Sequence, residues 1–191
     1  MDVTWVPARP SAAAGPPETR ERARRLTGHS GTVIRQAEPE DLAALAEIER
    51  AADGMFVPLG IVFPPGTTVV EECDDPRRVI VAGRPPMGFA LLGVVDGLTH
   101  LEQIAVHPDH GNRGIGTRLL DAVSTAAAQA GTAAVTLTTF RDVPWNAPWY
   151  ARRGFHVVPP HEWGPELTAL VEHERALGIE AAPRVVMRKD L

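Results

Sequence analysis

The 191-residue chain holds one cysteine and one tyrosine, and its aromatic residues amount to only 5%. A single thiol, Cys73, excludes an internal disulfide and with it the stapled framework of small secreted domains. Glu71, Glu72, Asp74 and Asp75 surround it in sequence, and nearby carboxylates raise a thiol pKa, so Cys73 is a poor nucleophile. Basic residues are also short: 19 against 24 acidic, a net charge of −5. That leaves no extended face for nucleic acid and favours a neutral or cationic small substrate. No apolar run approaches the about 18 residues of a membrane span, and the first residues lack a signal-peptide core, so a cytoplasmic protein without a membrane partner is expected. No metal site is expected either. His107 and His110 stand three apart, but no cysteine pair or acidic third ligand accompanies them at a metal spacing, and they read as turn residues.

What is present suffices for one core: 44% of the residues are hydrophobic, and the length suits a single domain. Residues 1–31 are rich in Pro, Ala and Arg without periodicity and read as a flexible tail; the folded domain is expected over 32–191. Thr32 to Ala37 reads as a short strand. Pro39, Glu40 and Asp41 suit a helix start, and Leu42, Leu45, Ile48 and Ala52 then recur on one helical face until Gly54. Prolines break the pattern from Met55 to Arg78. Strands follow over Val79–Ala82, Met87–Val95 and, through the hairpin signal Asp96-Gly97, Thr99–Val106. A long helix ends before Gly131, and the β-branched run Ala133–Phe140 makes a β-α-β unit with the strand before it, hence a parallel pair. A short helix before Gly154, a strand Phe155–Val158, a helix Pro165–Leu177 and a last strand Arg184–Arg188 complete the order.

The most informative stretch lies between that fourth strand and the long helix: His110-Gly111-Asn112-Arg113-Gly114-Ile115-Gly116. A glycine loop feeding a helix start presents unpaired backbone N–H groups at the positive end of the dipole, which can hold a diphosphate with little side-chain help. Counting from Gly114 and Gly116, the third position of a dinucleotide fingerprint falls on Leu119, and no P-loop lysine follows, so both nucleotide readings weaken. A plain β-to-α connection that binds nothing is the alternative. A second stretch runs from Pro144 to Phe155, where Asn146 and Tyr150 lie four apart on one helical face. As the only tyrosine, Tyr150 is either a site residue or a core residue with a satisfied hydroxyl.

These two stretches resemble the GNAT N-acetyltransferase superfamily. The first is similar to its central Arg/Gln-x-x-Gly-x-Gly/Ala motif after a strand ending in Val-His-Pro-Asp, here Val106 to Asp109, except that Gly111 stands where the family carries Arg or Gln. The second is similar to Asn-x-x-x-Tyr-x-x-x-Gly-Phe, here Asn146, Tyr150, Gly154 and Phe155. The resemblance implies an α/β (α+β) mixed sheet of about seven mostly antiparallel strands, the fourth and fifth parallel, with helices on both faces. It further implies acetyl-CoA as cosubstrate, with its diphosphate on the amides of Gly111, Asn112, Arg113, Gly114, Ile115, Gly116 and Thr117. The pantetheine arm would pair with the main chain of Ile104, Ala105 and Val106 where the two parallel strands splay, and Asn146 and Tyr150 would complete the cofactor site. The N–H of Val106 would polarise the thioester carbonyl. In the same region the proline-broken segment would line the acceptor site with Met55, Phe56, Leu59 and Phe63, although such residues also pack simply under a loop.

Acyl transfer to an amine moves two protons. An alkylammonium, pKa about 10.4, must lose one before it attacks, and the departing thiolate, conjugate to a thiol of pKa about 8.5, gains from receiving one. Tyr150, whose hydroxyl the resemblance puts beside the sulfur, is the candidate acid. Glu102 is the candidate base, with an ordered water chain as the equal alternative. Strict alternation sets Glu102 on the face of Ile104 and Val106, opposite Gln103 and Ala105, unless a bulge resets the order. His100 is a weaker candidate for touching the acceptor. The expected activity is N-acyl transfer to a primary amine of a small molecule or peptide; a non-catalytic acyl-CoA sensor is the alternative, and a homodimer stays open because GNAT-like domains often pair.

Overall fold

A computed structural model describes residues 32–63, 65–178 and 182–191. The tail expected over residues 1–31 lies outside the described residues. Among the described residues there are seven strands: β1 (Ile34–Gln36), β2 (Val79–Gly83), β3 (Pro86–Val95), β4 (Leu98–Val106), β5 (Ala134–Phe140), β6 (His156–Val157) and β7 (Arg184–Asp190). They form one sheet in the order β1-β2-β3-β4-β5-β7-β6. The β4–β5 pair is parallel and the others are antiparallel. The last strand thus inserts beside β5, and the short strand before it is left at the edge. The helices are α1 (Leu42–Asp53), α2 (Ile115–Gln129), α3 (Ala147–Ala151) and α4 (Pro165–Ala176).

Alternation along the strands divides the core between two faces. On one face Ile80, Ala82, Ala90, Leu101 and Leu137 pack with Leu119, Leu120 and Val123 of α2. On the other, Val79, Val81, Phe89, Leu91 and Ala105 pack with Leu45, Ala46 and Ile48 of α1. The proline-broken segment is not featureless: it forms 3-10 turns over Gly54–Leu59, Val69–Glu72 and Pro76–Arg78.

The Asp96-Gly97 hairpin has φ of 50° and 72° at its two central residues. Its turn also does tertiary work. The Asp96 carboxylate accepts the N–H groups of Glu166 and Leu167, each at 3.0 Å, at the start of α4, and so caps a helix far along the chain. Asp96→Ala is expected to lower stability by about 1–2 kcal/mol, the usual cost of a lost N-cap, as read by urea denaturation.

One irregularity sits in β4. Leu91 lies opposite Gln103 and Leu92 opposite Leu101, so Glu102 has no counterpart on β3 and forms a bulge. Leu101 accordingly joins the α2 face while Gln103, two residues on, reaches α1.

Candidate active site

The parallel strands β4 and β5 pair only at Thr99 with Val135 and His100 with Thr136. Beyond those two rungs β5 keeps β7 as its partner as far as Phe140, and β4 keeps β3 as far as Val106. The strands therefore part toward their C-terminal ends, leaving a wedge-shaped gap inside the sheet. His107 N–H donates to Met87 C=O at 2.9 Å, and hydrogen-bond direction alternates along a strand, so the N–H groups of Ile104 and Val106 point into the gap. Ala105 does not fit its expected role. Its main-chain groups turn toward β3, where it lies opposite Phe89, and its side chain is buried on the α1 face. The Ile104 N–H is already taken by Oε1 of Gln103 at 3.0 Å.

At the apex of the wedge His100 is buried, with Nδ1 2.9 Å from the Thr136 hydroxyl. Burial pushes its pKa down to about 4, so it is a neutral strut between the two strands rather than an acceptor contact. Nδ1 of His107 accepts the Asp109 N–H at 3.3 Å, as a turn residue does. Among the described residues no three His, Cys, Asp or Glu side chains are arranged to hold a metal ion. Cys73 is buried, and that burial, more than the acidic neighbours, pushes its thiol up.

The loop at the mouth of the gap opens α2. Gly114 takes φ +75°, a left-handed conformation that L side chains adopt at a cost, and Arg118 N–H returns to its carbonyl at 3.1 Å. The N–H of Gly111 is used by Pro108 C=O at 2.9 Å, which corrects its expected place in the cradle: it is committed to the preceding turn. The N–H groups of Asn112, Arg113, Gly114, Ile115, Gly116 and Thr117 have no partner among the described residues. Arg113 folds back onto Asp109 C=O at 3.1 Å.

The second expected stretch stands across the gap. Val143 C=O holds the Asn146 N–H at 2.9 Å, and Asn146 C=O accepts from Trp149 and Tyr150 at 2.8 and 3.0 Å, which closes α3 into a single turn. Asn146 is therefore fixed by structure: Nδ2 donates to the Thr139 hydroxyl of β5 at 2.7 Å, whereas its buried Oδ1 has no partner among the described residues. The Tyr150 ring is held edge-on between Trp149 and Phe155, at 5.0 and 5.5 Å between ring centroids. It is 6% exposed, its hydroxyl has no partner among the described residues, and burial raises its pKa far above the ordinary phenol range.

Sequence reasoning missed Arg153. Its guanidinium stacks 3.8 Å from the Trp149 ring centroid and donates from Nη2 to the Thr117 hydroxyl of α2 at 2.8 Å, while Nε is buried without a partner among the described residues. Burial and the neighbouring Arg152 both act against its charge. A positive group thus stands at the start of α2 although Gly111 carries none. The signal was the spacing of Trp149 and Arg153, four apart, which stacks two side chains on one side of a turn.

Glu102 departs from its expected face. The bulge turns it away from Ile104 and Val106, over Gly93, where any side chain would collide with its carboxylate. Nη2 of Arg78 holds it at 2.6 Å. Burial raises its pKa, with Arg78 opposing. Two other carboxylates lie on the same side of the sheet, on α1. Glu49 is 2% exposed and accepts the N–H groups of Val69 and Val70, each at 3.0 Å, and Nε2 of Gln103 at 2.9 Å. Asp53 follows one turn later. Phe56 and Phe63 pack with Phe140, while Met55 and Leu59 are exposed.

Residues 69–157 match the family described as Acetyltransferase (GNAT) domain. That match covers a little under half of the chain, and the seven-stranded sheet with the parallel β4–β5 pair is the GNAT fold. The fold is shared with N-acetylglutamate synthase from Neisseria gonorrhoeae, solved with coenzyme A and N-acetyl-glutamate (19% identity, TM-score 0.65, 86% of this chain and 36% of that one). This chain thus spans about a third of the synthase. It is also shared with PaiA N-acetyltransferase from Thermoplasma acidophilum in complex with coenzyme A (17% identity, TM-score 0.57, 83% of this chain and 98% of that one). A third example is the ribosomal-protein-S18-alanine N-acetyltransferase from Escherichia coli (20% identity, TM-score 0.58, 83% of this chain and 93% of that one). Among the described residues no helix is long and apolar enough to cross a membrane.

Proposed function

We propose that this protein is an acetyl-CoA-dependent N-acyltransferase that moves an acyl group to a primary amine of a small molecule or peptide by direct attack on the thioester. The observation that carries the reading is the run of amides from Asn112 to Thr117 that have no partner among the described residues, set at the start of α2 beside the gap between β4 and β5. A diphosphate matches that cradle in charge and in hydrogen-bonding capacity. The peptide-like pantetheine arm matches the gap, where Val106 N–H is free to meet it and Ile104 N–H becomes free if the Gln103 side chain turns aside. Coenzyme A supplies an activated acyl group there; the chain's own residues orient it. In this reading Val106 N–H stabilises charge developing on the thioester oxygen, and Tyr150 gives a proton to the departing sulfur.

Arg153 takes over the cationic contact that Gly111 lacks. Arg153→Met is expected to weaken CoA binding by about tenfold, in keeping with the about 1.5–3 kcal/mol of a hydrogen bond to a charged group, and to flatten its salt dependence, as measured by calorimetry at two ionic strengths. The reading itself is tested by thermal shift with CoA at millimolar levels, followed by thiol release from acetyl-CoA in the presence of amines. Absence of binding rejects it. Binding without amine-stimulated thiol release assigns the chain to acyl-CoA sensing instead.

A further inference from the structure

The acceptor side of the gap has a chemistry of its own, and α1 carries it there. The helix and the 3-10 turn that follows it are pinned at two points on opposite sides of the wedge. Glu49 holds Gln103 of β4 at 2.9 Å. About two turns further on, Phe56 packs against Phe140 at the end of β5 and against Trp145, with ring centroids 5.5 and 5.6 Å apart. Asp53 lies between the two anchors and, one turn from Glu49, shares its inward face. It thus belongs to the stretch that runs from one side of the opening to the other, and its carboxylate has no hydrogen-bond or ion-pair partner among the described residues. Burial, then the Glu49 charge, pushes its pKa up to about 6. The surrounding elements present charges already closed into pairs: Arg50 with Glu71, Arg78 with Glu102, and Arg141 with Asp142.

Beside Asp53 the surface is apolar. Phe56, Phe63 and Phe140 form the floor, and Met55, Leu59, Val62 and Trp145 are exposed around it. An acidic acceptor would meet Glu49 and Asp53, and a polyamine or amino sugar would strand polar groups against the aromatic floor. An ammonium on an apolar body satisfies both regions at once.

We propose that the acceptor is a primary amine borne on an apolar or aromatic group, with Asp53 receiving its ammonium as the proton acceptor and the Phe56–Phe63–Phe140–Trp145 cluster receiving the apolar part. This rests on the acyl-transfer reading above. Asp53 takes one proton from the ammonium, and the freed lone pair bonds to the thioester carbonyl carbon. The carbon–sulfur bond breaks, the sulfur takes a proton from Tyr150, and the new amide loses its second proton to water. Tyr150 regains a proton from solvent and Asp53 releases its own, so one proton is liberated per turnover.

The test uses the full chain, saturating acetyl-CoA and two probes, 2-phenylethylamine and ethylamine, with thiol release followed from about pH 5 to about pH 9. The phenyl probe is expected to have a kcat/KM at least about tenfold higher, the worth of burying an aromatic ring. In the wild type, kcat/KM declines below about pH 6 as Asp53 protonates. Asp53→Asn is expected to cost about 10²-fold in kcat/KM and to abolish that acidic limb, with KM for acetyl-CoA unchanged. Trp145→Ala is expected to narrow the ratio between the amines. Failure of both probes to release thiol, with release by a polyamine, amino acid or peptide amine, overturns the acceptor assignment alone; failure of every amine class overturns the acyl-transfer reading. Thiol release that Asp53→Asn leaves within about twofold, an acidic limb that moves with Glu102→Gln instead, or equal use of the two amines overturns the acceptor assignment alone.

Discussion

Replacing Tyr150 by phenylalanine is expected to lower turnover by about 10²-fold or more while CoA affinity changes by no more than about twofold. The ring would keep its edge-on contacts with Trp149 and Phe155, so only the hydroxyl is removed. The residue is buried, its hydroxyl has no hydrogen-bond partner among the described residues, and burial raises its pKa. The phenol is therefore protonated throughout the working range and suits proton donation rather than abstraction. Single-turnover thiol release measures the effect. Because the chain has one tyrosine, its tyrosinate absorbance offers an independent check, and the band should be absent until well above about pH 10. Unchanged turnover would remove the acid role and leave Tyr150 as a packing residue.

The largest expected effect on stability falls at Glu49. Three donors converge on its carboxylate, the Val70 N–H in a buried bond and the Val69 N–H and Gln103 Nε2 in partly buried ones. Glu49→Ala strands all of them, and with about 1–3 kcal/mol for each orphaned group, partly relieved by relaxation, the loss is expected to be about 3–5 kcal/mol. For a chain of this size that lowers Tm by about 10 °C. Urea denaturation of Glu49→Ala beside Glu49→Gln separates the roles, since glutamine retains one acceptor oxygen and should recover part of the loss. The same network keeps Gln103 over the Ile104 amide, so its removal is also expected to loosen the edge of β4.

Elements set by neighbouring residues were legible in the sequence. The Asp96-Gly97 turn announces the β3–β4 hairpin because a two-residue turn needs positive φ, and Gly114 and Gly131 bracket α2 for a similar reason. What depends on pairing across space was not legible. Leu101-Glu102-Gln103 looks like regular alternation, and only the residue count on β3 reveals that Glu102 is supernumerary. Nor does local pattern show that β7 enters between β5 and β6. For the candidate site, the glycine cradle and Tyr150 stood out as motifs, whereas Arg153 and Asp53 matter through their neighbours: a ring and a helix start for one, an opening beneath a helix end for the other. Gly111 and Ala105 show the converse, since each has a main-chain position that suggested availability while a nearby strand or turn already employs it.

Where β4 and β5 separate, the sheet acquires a main-chain border at its centre rather than at its perimeter. Outer borders invite any extended chain and are a route to aggregation. An inner one is shielded on both sides by strands already engaged elsewhere, and its wedge narrows to nothing at His100, so it admits a single thin, peptide-like guest from one direction only. Divergence of two strands thereby converts a general hazard of β-structure into a means of selection.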